Sequence, residues 1–453
     1  MYDRVFMELG RVGIAISLAI LSAGTGAASA QAQEADFAAL TNPLRPKVML
    51  ETAALHGRHF VASLENGGVA QLTLHPALQK AVDEALSSHN YSFAAAAVIS
   101  IPDGRVLALA GYSKVDPSLD AATLALRPWA PAASVFKVVS ASALLQEGHV
   151  EPGIRVCYHA GVSSVLRDNL VDMPAIDRSC ASLGYGLGKS QNAIIAKLAT
   201  NHLRPEQLER TAFAFGFGQE LDFDAALEPS EVEIPRDPLE FARAAAGFWH
   251  SSLSPLHGAL LAATIANRGE MPGAHLIEKA IDGNGVRLAT RKPAARRVLD
   301  PSVAEQVGKM MQLTTSMGTA KHSFRDRKGH PYLPVEVAGK TGTLFYRGRP
   351  QDPSLPSSNA GDLHGNPGRV PKPSRDASLP AKLAGSARAQ GQIGYSWFVG
   401  FAPADHPTMA FAVLLGNPAS SQVKAHSVAR HLVAEYLAVE NPTVKHGRML
   451  ARR

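Results

Sequence analysis

Apolar runs of strand length stand at both ends of this 453-residue chain, with a long stretch of helical period between them. Residues 94–101 and 105–110 flank Pro102-Asp103-Gly104, which is a hairpin signal. Residues 335–346, 395–402 and 408–415 read as three further strands, and an amphipathic helix follows over 421–439. The stretch between, about 130–320, is mostly helical in spacing. Two strands first and three last predict one sheet closed from both ends of the chain, with the helical stretch inserted as a lobe. Ahead of the hairpin, 69–74 reads as a short strand and 76–86 as a helix with Pro76 at its start. Hydrophobic residues at 46% and charged residues at 19% supply a sizeable core and exclude global disorder. No repeat of 20–50 residues is visible, which excludes solenoids and propellers.

The first 30 residues read as an address. Arg4 and Arg11 precede a charge-free stretch whose apolar centre is 12–21, and small residues lead to Ala28-Ser29-Ala30, an A-x-A-like cleavage site. Asp3 and Glu8 stand in the basic end, and the alternative is an uncleaved anchor. Either form places the rest of the chain outside the cytoplasm. Residues 31–68 are expected to be an irregular lead-in, 69–440 the main domain and 441–453 a basic tail. An oxidising compartment permits Cys157 and Cys180, the two cysteines, to pair. Such a bridge would contribute about 3 kcal/mol by loop closure.

The net charge of +6 does not indicate nucleic-acid binding. It is also localised. Residues 347–391 hold seven Lys/Arg against three Asp, with seven Pro, six Gly and no aromatic residue. A connection of that length calls for explanation. Its composition favours a solvated spacer, and the alternative is a basic flap that attracts an acidic polymer or partner.

Three short strings carry the chemistry. Pro131-Ala132-Ala133-Ser134-Val135-Phe136-Lys137 opens an apolar helix, so Ser134 and Lys137, at i and i+3, share a face. Ser134 lies in the first turn, where free N–H groups favour developing negative charge. A hydroxyl needs a neighbouring base to become a nucleophile, and a lysine serves if burial or another cation lowers its pKa. Ser190-Gln191-Asn192 follows in the lobe, and Lys340-Thr341-Gly342-Thr343 sits in an expected strand. The spacing alone is unspecific, since Ser421 and Lys424 repeat it. The order and the placement on helix, lobe and strand make the set specific.

On these strings the sequence resembles the penicillin-binding proteins, in their transpeptidase domain. The resemblance extends over about 69–437 and includes Leu253-Ser254-Pro255-Leu256-His257, Gly318-Thr319-Ala320 and residues 395–403. It implies an α+β fold: an antiparallel five-stranded sheet flanked by helices, with an inserted all-helical lobe. It implies Ser134 as nucleophile toward the carbonyl between two D-alanines of a peptidoglycan stem peptide, and Lys137 as its base. Ser190 would relay a proton to the leaving amine, with Asn192 holding Lys137 and the substrate backbone. Lys340, Thr341, Gly342 and Thr343 would hold the substrate, Lys340 as a fixed cation and the glycines Gly339 and Gly342 as room for a peptide laid along the strand. The N–H groups of Ser134 and Thr343 would form the oxyanion hole.

The implied partners are stem peptides, β-lactams and cell-wall assembly proteins, with membrane contact only through an uncleaved N-terminus. The implied location is the periplasm or the outer face of the cytoplasmic membrane. No cofactor or metal is implied. Too little chain precedes Ser134 for a glycan-polymerising domain, so a monofunctional protein is expected. D,D-carboxypeptidases share the motifs and remain an alternative. Serine β-lactamases are disfavoured: 228–235 lacks the E-x-x-x-N arrangement of one class, and Asn192 stands where another class carries Val. A non-catalytic β-lactam sensor or assembly scaffold is the reading from a different class. Gly188-Lys189-Ser190 fails as a phosphate loop because Leu183 stands where glycine is needed.

Overall fold

The computed structural model describes residues 46–89, 91–345, 393–418 and 423–440. The expected signal segment, residues 347–391 and the tail 441–453 lie outside them. The chain divides into two units.

In chain order the larger unit, residues 73–276 and 292 onward, begins with helix Pro76–Ser87 (α1) and strands Phe93–Ser100 (β1) and Val106–Ser113 (β2). Helix Lys137–Gln146 (α2), short strands Arg155–Tyr158 (β3) and Ser179–Ser182 (β4) and helices Asn192–His202 (α3), Pro238–Ala245 (α4), Pro255–Ala266 (α5) and Pro301–Ser316 (α6) follow. Strands Ala338–Phe345 (β5), Ile393–Ala402 (β6) and Met409–Pro418 (β7) and helix Ala425–Glu440 (α7) close it. The five-stranded sheet runs β5-β6-β7-β1-β2, and every neighbouring pair is antiparallel. The two ends of the chain therefore meet in one sheet, as the pattern predicts.

Packing explains the sheet's composition. β1, Phe-Ala-Ala-Ala-Ala-Val-Ile-Ser, is buried along its whole length, and its alanines let helices approach from both faces. On one face Leu78, Val82 and Leu86 of α1 and Leu432, Val433 and Tyr436 of α7 close over Phe398, Phe411 and Val413. A fully buried Leu or Phe there contributes about 1.5–3 kcal/mol relative to exposure. On the other face α5 lies against β7 and β1, where Gly258 admits Ala412 and Val399. The Trp397 indole of β6 donates to the Pro131 carbonyl at 2.9 Å, which ties the sheet to the strap ahead of Ser134.

The inserted lobe is helical for the most part but also carries the β3–β4 ladder, with Cys157 directly opposite Cys180. The two are joined as a disulfide.

The smaller unit consists of 46–72 and 277–291. Ala54–His56, His59–Ser63, Val69–Leu72, Ile277–Ile281 and Arg287–Leu288 are successive neighbours in a five-stranded antiparallel sheet. This corrects two expectations. The lead-in is not irregular throughout, since 54–63 form a hairpin turned at Gly57 (φ 62°). The main domain does not begin at Val69 either: the strand there belongs to the smaller unit, which also takes 277–291 from the middle of the chain. Ala54–His56 is exposed on every residue, so backbone pairing defines it and no alternation of apolar residues marks it.

Candidate active site

Ser134 sits in a 3-10 turn, Ala133–Phe136, which leads directly into α2. In that turn residues i and i+3 eclipse, and the Lys137 Nζ lies 2.8 Å from the Ser134 Oγ. Ala133 holds φ at 50°, a conformation that costs a non-glycine residue about 1–3 kcal/mol and concentrates at functional sites. The turn is pressed from below by Gly247 (φ 81°), where an added Cβ would lie 2.2 Å from the Ala133 carbonyl oxygen.

Lys137 has no exposed surface. Burial first, and the nearby Lys340 second, hold its ammonium well below the usual lysine range. The Lys137 Nζ donates to the Asn192 Oδ1 at 2.6 Å and to the Ala246 carbonyl at 2.5 Å. Both are acceptors only, and a neutral amine has two N–H groups and one lone pair. As an ammonium Lys137 donates to Ser134 as well; as a neutral amine its two N–H groups would serve Asn192 and Ala246 and leave the lone pair for the Ser134 hydroxyl. That is the proton arrangement a nucleophile and its base require. The Asn192 amide is held in this orientation because its Nδ2 donates to the Val162 carbonyl at 2.7 Å.

Ser190 joins the helix Leu183–Gly188 to α3, with φ at 57°. The turn aims its hydroxyl at the third motif: the Lys340 Nζ donates to the Ser190 Oγ at 2.9 Å and to the Thr341 carbonyl at 2.7 Å. Burial pulls Lys340 down to about 7. Its charge at neutral pH is conditional, and an incoming carboxylate would favour the protonated form. Thr343 is exposed, while the Thr341 hydroxyl is 2.6 Å from that of Thr319.

Gly339 and Gly342 also have a packing role. An added Cβ on Gly339 would lie 2.5 Å from the Phe398 ring. On Gly342 it would meet Trp397 at 3.1 Å and the Val135 side chain at 3.2 Å. They seat β5 closely on the sheet and on the turn that bears Ser134. Among the described residues β5 pairs only with β6 in its sheet, which leaves its other edge without a strand partner there.

The fold thus brings the predicted residues into two contact groups, Ser134–Lys137–Asn192 and Ser190–Lys340–Thr341, with Lys340 close enough to Lys137 to lower its pKa. Cys157 and Cys180 bridge each other away from those contacts. Three participants escaped sequence reasoning: the carbonyls of Ala246 and Val162, and Thr319. The first two are backbone groups that no side-chain identity could signal. Thr319 lies in a string noted only as framework.

A sequence model of the family described as the penicillin binding protein transpeptidase domain matches residues 94–352, more than half of the chain. The chain belongs to this family and carries its transpeptidase domain. It is 24% identical over 383 residues to the peptidoglycan D,D-transpeptidase PbpA of Mycolicibacterium smegmatis, covering 77% of this chain and 67% of that protein. Among solved structures it resembles PBPA from Mycobacterium tuberculosis (TM-score 0.58, 21% identity, 82% of each chain). It also resembles the imipenem acyl-enzyme complex of penicillin-binding protein A from the same organism (TM-score 0.58, 22% identity, 82% of this chain and 80% of that one).

Proposed function

We propose that this protein is an exported serine D,D-transpeptidase that is acylated on Ser134 by D-Ala-D-Ala stem peptides, cross-links peptidoglycan and reacts covalently with penicillin. The observation that carries the reading is the buried Lys137 Nζ, held by the Asn192 Oδ1 and the Ala246 carbonyl at 2.8 Å from the Ser134 Oγ. In the first step the Ser134 proton passes to Lys137 as Oγ attacks the carbonyl between the two D-alanines. The oxyanion is held by the N–H groups of Ser134 and Thr343. Collapse breaks the peptide bond, and the proton held by Lys137 passes by way of Ser190, which stands against Lys340, to the leaving D-alanine amine, so Lys137 is neutral again. The terminal carboxylate rests on Lys340, Thr341 and Thr343. An acceptor amine then attacks the acyl carbonyl and gives a proton to Lys137; the new peptide bond forms as the ester bond breaks, and Lys137 passes that proton to the Ser134 Oγ.

An extracytoplasmic location fits this substrate. Among the described residues no helix is long and apolar enough to cross a membrane. The test is mass spectrometry of the purified protein with a D-Ala-D-Ala donor peptide and an amine acceptor. Cross-linked product is expected. Hydrolysed donor alone would assign a carboxypeptidase, and no acyl-enzyme with donor or penicillin would remove the catalytic reading.

A further inference from the structure

The lobe contains a buried polar cluster that the acyl-transfer steps do not use. The Lys197 Nζ, on the same helix as Asn192, donates to the Asp177 Oδ2 at 2.9 Å, the Cys157 carbonyl at 2.8 Å and the Asp172 Oδ1 at 3.2 Å. The side chains of Lys197 and Asp177 are 1% and 3% exposed. Asp177 also meets the His159 Nδ1 at 2.5 Å and accepts from the Met173 N–H at 2.9 Å. Asn169 donates to the His159 carbonyl and accepts from the Leu166 N–H. These contacts fasten one loop, residues 159–178, whose ends are closed by the Cys157–Cys180 bridge.

The loop is joined to the catalytic lysine by two routes. Its Val162 carbonyl accepts from the Asn192 Nδ2, whose Oδ1 takes one Lys137 proton. Its Val165 packs in a small apolar core with Ala196 of α3 and with Ala242 and Ala246 beside α4. The Ala246 carbonyl takes the other Lys137 proton, and the Arg243 side chain of α4 donates to the Val165 carbonyl at 3.1 Å. Both acceptors that direct the lone pair at Ser134 thus rest on this loop. Its turn fits tightly: Ala160 and Gly161 hold φ at 44° and 68°, and a Cβ on Gly161 would lie 2.4 Å from the Cβ of Ala193, next to Asn192.

We propose that the bridged loop is a positioning element of the catalytic site, with the Val162 carbonyl setting the Asn192 amide, and that reduction of Cys157–Cys180 slows acylation. The role rests on the reading of Ser134 as the acylated nucleophile. Cys157 and Cys180 are exposed, so a soluble dithiol reaches them. It breaks the S–S bond by supplying two electrons and two protons, leaves two thiols and is itself oxidised to a disulfide. The carboxylate-binding groups Lys340, Thr341 and Thr343 are on β5 and do not rest on the loop. The loss therefore belongs to the bond-making step and not to binding.

The experiment measures penicillin acylation of Ser134 against penicillin concentration, with intact mass as the readout. It compares the oxidised protein, the dithiol-reduced protein, and Gly161→Ala and Gly153→Ala with their bridges intact. A Cβ on Gly153 meets nothing within 4 Å, so Gly153→Ala should match the parent. Reduced parent and Gly161→Ala should each lose about 10-fold or more in maximal acylation rate, because a displacement of about 1 Å at a reacting centre is worth up to about 10²-fold. The half-saturating penicillin concentration should stay within about two-fold, since the effect is in positioning. Equal maximal rates for the reduced parent or for Gly161→Ala would overturn the positioning role and leave acyl transfer standing. So would a loss in the labelled fraction at unchanged rate, which is the mark of local unfolding. A parent that never labels on Ser134 would remove both readings.

Discussion

The proposed role of Lys137 as base rests on the company it keeps: an amide oxygen, a backbone carbonyl, a hydroxyl and, nearby, another lysine. None of these is an anion that would favour its protonated form. Lys137→Ala should slow penicillin acylation by about 10²-fold or more, the scale of losing a general base. Ser134→Ala should abolish labelling, and persistence of the label by intact mass would reject the assignment. Lys340 gives the pH dependence its sign. Its pKa of about 7 means that the ammonium is present below that value and lost above it in the free protein. The second-order rate constant for penicillin should therefore fall as pH rises through about 7. Lys137, which must be neutral to act, contributes a limb that rises with pH, moved down from the usual lysine range by burial and by Lys340. A β-lactam with its carboxylate esterified has no use for the Lys340 charge, and its profile should lack the falling limb. Identical profiles for acid and ester would mean that Lys340 does not hold the carboxylate.

At the scale of elements, the side-chain half of the site was legible and the backbone half was not. Ser134, Lys137, Ser190, Asn192 and Lys340 could be placed because residue type, spacing and order all constrain them. The Ala246 and Val162 carbonyls could not, since every residue has one and only the fold aims it. Gly247 is the visible trace of that hidden half. It follows α4, keeps a positive φ and lies against the turn of the nucleophile. Gly247→Ala combines an unfavourable conformation with a contact on the Ala133 carbonyl, so it should cost about 1–3 kcal/mol of stability. It should also displace Ser134 and lower the acylation rate by about 10-fold or more. Thermal melts and penicillin labelling check the two effects separately. A normal melt with normal labelling would show that the turn adjusts without effort. The strands divide in the same way as the site. β1 and β7 are apolar over most of their length and were readable, whereas 54–63 form a partly exposed hairpin whose pairing leaves no periodic mark.

For the whole molecule, the main sheet is assembled from segments more than two hundred residues apart, with β7 paired to β1. The basic segment 347–391 interrupts it between β5 and β6. Although the segment lies outside the described residues, its surroundings fix what its removal does. Phe345 and Gly394 are opposite one another in the β5–β6 ladder, so a short turn can join the two strands without disturbing their register. Lys340, Thr341 and Thr343 keep their partners across that ladder, Val399, Phe398 and Ser396. Replacing 347–391 by a short Gly/Ser turn should therefore leave the rate of penicillin acylation within about two-fold of the parent, since loop length changes chain entropy only slowly. The segment carries four of the chain's six net positive charges, so loss of its attraction for an acidic polymer would be screened by salt. Turnover of polymeric peptidoglycan at low and high ionic strength reads that term directly. A deficit in the shortened protein that appears at low salt and fades at high salt assigns the segment to recruitment. Equal turnover at both assigns it to a solvated spacer, and a fall in penicillin acylation itself would show that β5 and β6 depend on the segment for their pairing.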